Sequence, residues 1–228
     1  MIHYKQLPKT LTKSFKYWEE QEINTQFKVG RVEGLPVLDN WLASTYQLAP
    51  SVVERLEILA KLAKQEVEYW NEEELKILFI GPMMELVGYR KSKAYRIFFD
   101  RALEGEIEGV EMNGVVDMMV ASGFQSPIEP FFFLHEYKPE KKTPTDPLGQ
   151  LMAAMLVAQA KNKDTARPMY GCYVNGRNWF FVALQGKTYA VSEAFDITRQ
   201  VELEQIWMRL QFVKDQIEGY IKYPIPTT

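Results

Sequence analysis

The sequence predicts an α/β fold in which helices cover a mixed sheet. Residues 115–121 and 130–138 are apolar on both strand faces apart from a few charged positions, which is typical of central strands covered by helices. Asp146 and Pro147 then form an N-cap and first-turn pair that opens a helix. Hairpins join some of the strands, which makes those pairs antiparallel, and a helix connects others, which allows a parallel pair. Parallel and antiparallel pairs are therefore expected in one sheet.

The other helices are predicted from apolar periodicity and capping. Residues 51–70 place their apolar side chains on one stripe. A new helix begins at Asn71, followed by three glutamates that favour the positive end of the helix dipole. This helix is expected to kink or restart at Gly81-Pro82 and to end near residues 87–88. The remaining helices are predicted over residues 146–163 and 201–221.

Two Asn-Gly pairs predict hairpin turns. Asn113-Gly114 precedes the apolar strand that contains Asp117, and Asn175-Gly176 separates two further strand patterns. The predicted strands are residues 96–103, 106–112, 115–121, 130–138, 169–174 and 179–184, with an edge strand at 189–191.

Length and composition indicate one sizeable core. The chain has 228 residues, of which 46% are apolar and 25% charged, an ordinary composition for a globular protein. The segment 1–70 is predicted to be a helical extension packed on a core formed by residues 71–228. The longest apolar stretches, 131–134 and 151–160, are too short to span a membrane. With no apolar signal core at the start, a cytoplasmic location is expected.

Cysteine and histidine are too scarce to build a metal site. Cys172 is the single cysteine, and the two histidines are His3 and His135. Any bound metal must therefore be held by carboxylates and carbonyl oxygens, a donor set that favours a hard ion such as Mg²⁺. His135 lies next to Phe133 in the alternation of its strand, which favours a core histidine over a catalytic base.

The chemistry of the sequence is concentrated in three residues. Asp117 lies inside an apolar strand, where an ionised carboxylate is costly unless it meets a metal or a positive partner. Glu136 and Lys138 are two apart on the next such strand, so both side chains leave the same face, shared with Phe132 and Leu134. If the strands are neighbours, the two carboxylates and the carbonyl of Tyr137 offer oxygen ligands to Mg²⁺. Lys138 is then positioned to act on the attacking water and on the phosphate.

An alternative interpretation gives the same residues no chemistry. Asp117 and Lys138 would form an ion pair, and Glu136 would be a surface residue at a strand end. A Glu-x-Lys triplet is common by itself. An isolated Asp in an apolar strand, upstream of such a triplet at the end of another apolar strand, is far more specific.

Asp117 with Glu136-Tyr137-Lys138 resembles the motif of the PD-(D/E)XK nucleases. The stretch 71–184 is similar to the N-terminal nuclease domain of type I restriction motor subunits and their small standalone bacterial relatives. The matching segments are Asn71-Glu72, Phe79-Ile80-Gly81-Pro82, Leu86-Val87-Gly88-Tyr89, Gly114-Val115-Val116-Asp117, His135-Glu136-Tyr137-Lys138, Gln150 and Val174-Asn175-Gly176 leading to Trp179-Phe180.

The resemblance implies a restriction-endonuclease-like core and a phosphodiesterase that cleaves DNA with Mg²⁺ or Mn²⁺. It also implies that Gln150 lies near the site, although a first-turn glutamine could equally bond free backbone groups. The acid expected from the first helix is ambiguous between Glu72 and Glu85, and Glu85 is preferred because it is nearer the strands in sequence. An aromatic residue that related nucleases often carry one turn after the glutamine is missing at Ala153, Ala154 and Met155.

Charge leaves the partner open. The net charge is -3, which argues mildly against a general nucleic-acid binder, but local basic patches decide binding. Three basic clusters are expected to flank the site: Arg90, Lys91, Lys93 and Arg96; Lys138, Lys141 and Lys142; Lys161, Lys163 and Arg167. Alternatives are a catalytically silent binding module of the same fold and a structural or regulatory protein. A homodimer or a place in a larger assembly is also compatible with the sequence.

Overall fold

A computed structural model describes residues 11–91, 94–140 and 145–222, and within these ranges the chain is an α/β protein with one mixed sheet. The strands are β1 (Leu11–Ser14), β2 (Gly30–Arg31), β3 (Arg90–Lys91), β4 (Tyr95–Ile107), β5 (Val110–Ser122), β6 (Ile128–Lys138), β7 (Met169–Asn175), β8 (Asn178–Gln185), β9 (Thr188–Val191) and β10 (Phe195–Asp196). The helices are α1 (Glu20–Phe27), α2 (Pro36–Leu42), α3 (Pro50–Glu66), α4 (Glu72–Leu75), α5 (Gly81–Val87), α6 (Pro147–Asn162) and α7 (Gln200–Lys222). A 3-10 turn (Phe15–Tyr17) and a π-helical segment (Lys76–Ile80) complete the elements.

The sheet follows the order β2-β9-β8-β7-β6-β5-β4-β3, with β1 beside β5 and β10 beside β8. Strands β6 and β7 run parallel because α6 crosses between them, whereas β4, β5 and β6 are joined by antiparallel hairpins. The predicted mixed sheet flanked by helices, with a C-terminal helix, is therefore confirmed.

Each face of the sheet has its own apolar layer. One layer packs α2, α3, α5 and α7 on the sheet around Trp41, Phe133 and Leu210. The other packs α1 and α6 on the opposite face around Phe27, Leu134 and Met155. Helix α6 is buried along nearly its whole length, which explains its almost continuous apolar sequence.

The first predicted hairpin turn was wrong. The β4–β5 turn lies at Glu108-Gly109, where both residues have positive φ, and Asn113-Gly114 lies inside β5. A Cβ at Gly114 would lie 2.6 Å from Cδ2 of Phe15, so this glycine allows the N-terminal segment to pack on the strand. The second turn is confirmed, with Gly176 at a φ of 57° between β7 and β8.

The N-terminal extension is only partly helical. Helices α1, α2 and α3 were expected, but β1 also pairs with β5 and β2 pairs with β9. Asp146, the N-cap of α6, accepts a hydrogen bond from the backbone N–H of Glu20 at 2.7 Å. The extension therefore adds one strand at an edge of the sheet and another beside the interior strand β5; its residues 1–10, including His3, lie outside the described residues.

The helix that begins at Asn71 is interrupted as its proline requires. Asn71 forms a reciprocal capping box with Glu74. After α4 the helix widens into the π-helical segment, and the N–H of Gly81 donates to the carbonyl of Lys76. Proline inside an α-helix loses one hydrogen bond and clashes with the carbonyl four residues before it, so the wider segment accommodates Pro82. The helix ends at Gly88, as expected.

Among the described helices, none combines the length and the apolar character needed to cross a bilayer.

Candidate functional site

The two acidic residues of the motif face each other across neighbouring strands. Strands β5 and β6 pair with Met118 opposite His135, so the next step of the register brings Asp117 level with Glu136. The regular pairing ends there, and Asp117 Oδ2 accepts a hydrogen bond from the backbone N–H of Tyr137 at 2.7 Å. Because the two backbone groups of a strand residue point to the same side, the carbonyl of Tyr137 is directed toward this opening as well.

Lys138 completes the predicted group. Its ammonium lies 2.5 Å from Glu136 Oε1 and 3.8 Å from Glu72 Oε2. Leu134 shares this face, but the prediction for Phe132 was wrong, since Phe132 packs in the other layer. The cause is a register shift between Val120 and Ala121, opposite the start of β6, which changes the alternation of that strand.

A second lysine, which the sequence analysis did not select, lies in the same cluster. Lys76 is 6% exposed, and its ammonium is 3.1 Å from Asp117 Oδ1, 3.2 Å from Glu72 Oε1 and 2.8 Å from Asp100 Oδ1. Asp100 lies level with Asp117 on β4 and has a φ of 49°. A cleft lined by Asp117, Lys138, Glu72, Lys76, Asp100 and Gln150 opens from this cluster.

Burial and like charges disturb the carboxylates. Burial, with the nearby charge of Asp117, raises the pKa of Glu136 to about 8, against the opposing effect of Lys138. Burial also raises the pKa of Asp117, although Lys76 opposes the shift. The lysines shift so as to keep their charge: contacts with Glu136 raise the pKa of Lys138 despite its burial. Perturbed acids of this kind, grouped in a cleft, are typical of functional sites.

Gln150 lies on the first turn of α6 and lines the same cleft. It is 9% exposed, and its Oε1 atom is buried without a hydrogen-bond partner within the described structure. Through this oxygen Gln150 therefore bonds no backbone group of the described residues, which argues against the alternative. A buried acceptor left unpaired is costly, so the position favours a ligand that supplies a cation or a donor.

Of the two candidate helix acids, the structure brings Glu72 to the cluster. Glu85 lines a different cleft, together with Arg90 and Arg96. The structure does not support the preference for Glu85, because proximity in sequence ignored the direction of the helix. Glu72 lies at its N-terminal end, within 3.8 Å of Lys138 on β6, whereas Glu85 lies near its C-terminal end.

His135 is a core residue, as expected. It is fully buried against Phe133, and Nδ1 lies 2.9 Å from the Tyr137 hydroxyl and 2.8 Å from Cys172 Sγ. Burial lowers the pKa of His135 well below its usual value, so it stays neutral on the face away from Glu136.

The basic clusters are distributed differently from the prediction. Lys93, Lys141 and Lys142 lie outside the described residues. Lys161 pairs with Glu129 near the start of β6, whereas the site lies at the end of that strand. The third cluster therefore does not flank the site.

No family model matches the chain, and no curated protein matches its sequence significantly.

The donor set of the cluster suits a hard divalent ion by its chemistry. Asp117, Glu136 and the Tyr137 carbonyl provide oxygen ligands of the kind Mg²⁺ takes, and Gln150, whose Oε1 is unpaired within the described residues, lines the same cleft. As the side chains are placed, no three acidic, histidine or cysteine groups of the described residues form a metal cage. Two lysines instead hold the carboxylates, so an ion would take Asp117 from Lys76.

Proposed function

We propose that this protein is a metal-dependent nuclease with a restriction-endonuclease-like core that hydrolyses phosphodiester bonds in nucleic acid, and its resemblance points to DNA as the substrate. The observation that carries the proposal is the pairing of Asp117 and Glu136 across the end of a β5–β6 ladder, with Lys138 on Glu136. Scattered surface charges would not produce this arrangement.

The roles follow from the positions of the groups. Asp117, Glu136 and the Tyr137 carbonyl would hold Mg²⁺ or Mn²⁺, which when bound polarises a phosphoryl oxygen and acidifies water. Lys138 lies beyond the carboxylates on the same strand face, where its ammonium can stabilise charge developing on the phosphate. Gln150 can accept a hydrogen bond from the water that attacks phosphorus.

An arginine-lined groove beside the site supports a polyanionic substrate. Arg101 pairs with Val116, the neighbour of Asp117, and Arg96 lies further along the same strand. Phe124 is 70% exposed near Arg96, and the two line one cleft with Arg101. None of Arg90, Arg96 and Arg101 forms an ion pair with a described acidic residue. Arg96 and Arg101 donate to backbone carbonyls, and guanidinium groups without a carboxylate partner, together with an exposed ring, suit phosphates and bases.

Adjacent clefts connect that groove to the acidic cluster. The site cleft shares Lys76 and Asp100 with its neighbour, which in turn shares Gly81 and Phe99 with the next cleft. The last cleft of the series shares Arg96 and Phe99 with the cleft before it. A strand lying in this series would place a phosphate near Asp117 while its neighbours meet arginines.

A second candidate is a binding module with a silent site. The observation that favours it is the engagement of Asp117 by Lys76 at 3.1 Å and of Glu136 by Lys138 at 2.5 Å. In that case the two lysines act as permanent structural counter-ions, and nucleic acid binds in the arginine groove without being cut.

A cleavage assay separates the two candidates. The full chain is incubated with supercoiled, linear and single-stranded DNA and with RNA, in Mg²⁺, Mn²⁺ or EDTA, alongside Asp117→Asn and the surface variant Lys187→Ala as a matched control. Metal-dependent cleavage by the wild type and Lys187→Ala, lost in Asp117→Asn, supports the nuclease. Binding of nucleic acid without cleavage under every condition contradicts it and favours the silent module.

A further inference from the structure

The ammonium of Lys76 is fully engaged. An ammonium has three N–H donors, and Lys76 lies within 3.2 Å of a carboxylate oxygen from each of Glu72, Asp100 and Asp117. These acids come from α4, β4 and β5, so the fold brings three separate elements to one point. The three oxygens converge on one cation at distances suited to an ammonium group, and they would have to move inward to reach the shorter bonds of a hard metal ion.

An independent feature of the cleft indicates that Lys76 is not its only occupant. Gln150 is nine-tenths buried, lines the same cleft, and its Oε1 has no described partner even with Lys76 in place. An amide oxygen accepts from donors or coordinates cations. It can meet a bound ion directly or through a coordinated water.

The charge balance points to the same class of ligand. Five carboxylates, those of Glu72, Glu73, Asp100, Asp117 and Glu136, lie within ion-pair distance of the two ammonium groups of Lys76 and Lys138. The acidic groups outnumber the ammonium groups by three, so a net negative charge remains even with Glu136 protonated, and a bound divalent cation would compensate it.

We propose that Glu72, Asp100 and Asp117 form a divalent-cation position in which Lys76 is the resident cation, and that an ion enters by displacing its ammonium. This inference rests on the proposed function only in taking the ion to be Mg²⁺ or Mn²⁺. An internal competitor lowers apparent affinity in proportion to the fraction of time that the position is free. Lys76 thereby keeps the carboxylates compensated until the ion concentration is high.

The first test removes the competitor. Lys76→Met keeps much of the length of the side chain without its charge, and Mn²⁺ binding is measured by titration calorimetry on the full chain. Mn²⁺ should bind about tenfold more tightly to Lys76→Met than to the wild type, and Lys187→Met, at an exposed ion pair with Glu108, should match the wild type. Equal, weaker or absent binding by folded Lys76→Met overturns the inference.

The second test needs no variant. The wild-type protein is treated briefly with acetic anhydride with and without Mn²⁺, and acetylation of each lysine is quantified by mass spectrometry. Displacement into solvent should raise labelling of Lys76 several-fold and leave Lys187 unchanged. Labelling of Lys76 that is unchanged or reduced at saturating Mn²⁺ overturns the inference, including where Lys76→Met does not fold.

These outcomes differ from those that test the nuclease. If the wild type cleaves nucleic acid but Lys76→Met gains no Mn²⁺ affinity, the inference fails and the nuclease proposal stands. If Lys76→Met binds Mn²⁺ more tightly but no nucleic acid is cleaved by the wild type, the cation position stands and the nuclease proposal fails.

Discussion

Asp117, Glu136, Lys76 and Lys138 are all buried in one cluster of ion pairs. Removing one partner of a buried ion pair leaves an uncompensated charge, whereas replacing a whole set with neutral groups is often tolerated. Each single substitution in the cluster therefore tests both a chemical role and a structural one. The two are distinguished by measuring ion binding, cleavage and stability on the same variants.

Asp117→Ala and Lys138→Ala should differ in what they lose. Asp117→Ala should abolish Mn²⁺ binding and cleavage, since it removes a direct ligand. Lys138→Ala should lower the cleavage rate by about a hundredfold to a thousandfold with Mn²⁺ binding largely kept, since the ammonium acts on the phosphate. Calorimetric titration and a nicking assay measure the two effects. Wild-type cleavage by Lys138→Ala would show that this lysine is only a counter-ion.

Stability of the metal-free protein should depend on pH through Glu136. Its pKa is raised to about 8, so the folded state retains a proton that the unfolded state releases near its ordinary pKa of 4.5. The stability contributed by this proton is complete below the unfolded pKa and is lost as pH rises through the folded pKa. Thermal melting in EDTA should therefore show a Tm that falls between about pH 5 and about pH 9.

Glu136→Gln carries no such proton and should show a smaller fall in Tm over that range. Glu129→Gln is the control, because contacts of Glu129 lower its pKa, and any effect of that group is lost only in acid. A Glu136→Gln curve parallel to the wild type would contradict the assignment.

Among the secondary-structure elements, β5 is adapted for close packing. Gly114 lies where the side chain of Phe15 crosses the strand, and a Cβ there would come within 2.6 Å of that ring. The strand also carries Asp117 three residues later, so packing of the N-terminal segment and placement of the site depend on the same part of β5.

Gly114→Ala should destabilise the protein by about 1–3 kcal/mol, since Phe15 or the strand must move. Denaturant unfolding followed by fluorescence measures the change. Gly34→Ala, where nothing lies within 4 Å of the added Cβ, should be neutral or slightly stabilising. Equal stability of the two variants would contradict the packing argument.

Strand β4 should carry the nucleic-acid contacts. Arg96→Gln with Arg101→Gln should weaken nucleic-acid binding and reduce the salt dependence of the affinity by about two phosphate contacts. Arg199→Gln, at an exposed ion pair with Glu202, is the matched control. Fluorescence anisotropy at several salt concentrations measures both slopes, and an unchanged slope in the double variant excludes this groove as the binding surface.

In the whole molecule, the N-terminal segment and the C-terminal helix hold the same face of the sheet. Trp41 of α2 is fully buried, packs edge-on against Phe133 and Phe181, and donates its indole N–H to the carbonyl of Arg209 at 2.7 Å. Tyr89 donates to the carbonyl of Leu210 at 2.6 Å. Helix α7 is thus tied to elements distant in sequence.

Trp41→Ala should lower stability by about 3–5 kcal/mol through the cavity it leaves, which corresponds to a fall in Tm of roughly 6–20 °C for a chain of this size. Calorimetry should still show one transition, because the segment shares its core with the sheet. Tyr69→Ala, at a side chain 74% exposed, should change stability by less than about 0.5 kcal/mol. A separate early transition in Trp41→Ala would show that the segment unfolds independently.

The sequence alone determined the elements whose signals are local. The helix starts at Asn71 and Asp146 depend on capping groups within three residues, and the apolar strands around Asp117 and Glu136 show their burial in their own composition. The convergence of Asp117, Glu136 and Lys138 was predictable because strand alternation fixes which side chains share a face.

Tertiary structure decided what depends on contacts between distant segments. Asn113-Gly114 is a strong turn signal, yet Phe15 requires the glycine within a strand. Lys76 and Asp100 have the sequence pattern of ordinary surface residues. In the folded chain Lys76 begins the π-helical segment, Asp100 has a positive φ, and the Lys76 ammonium contacts both Asp100 and Asp117. Local patterns report the environment of a residue along its own element, whereas the partner of a buried charge is set by the packing of other elements against it.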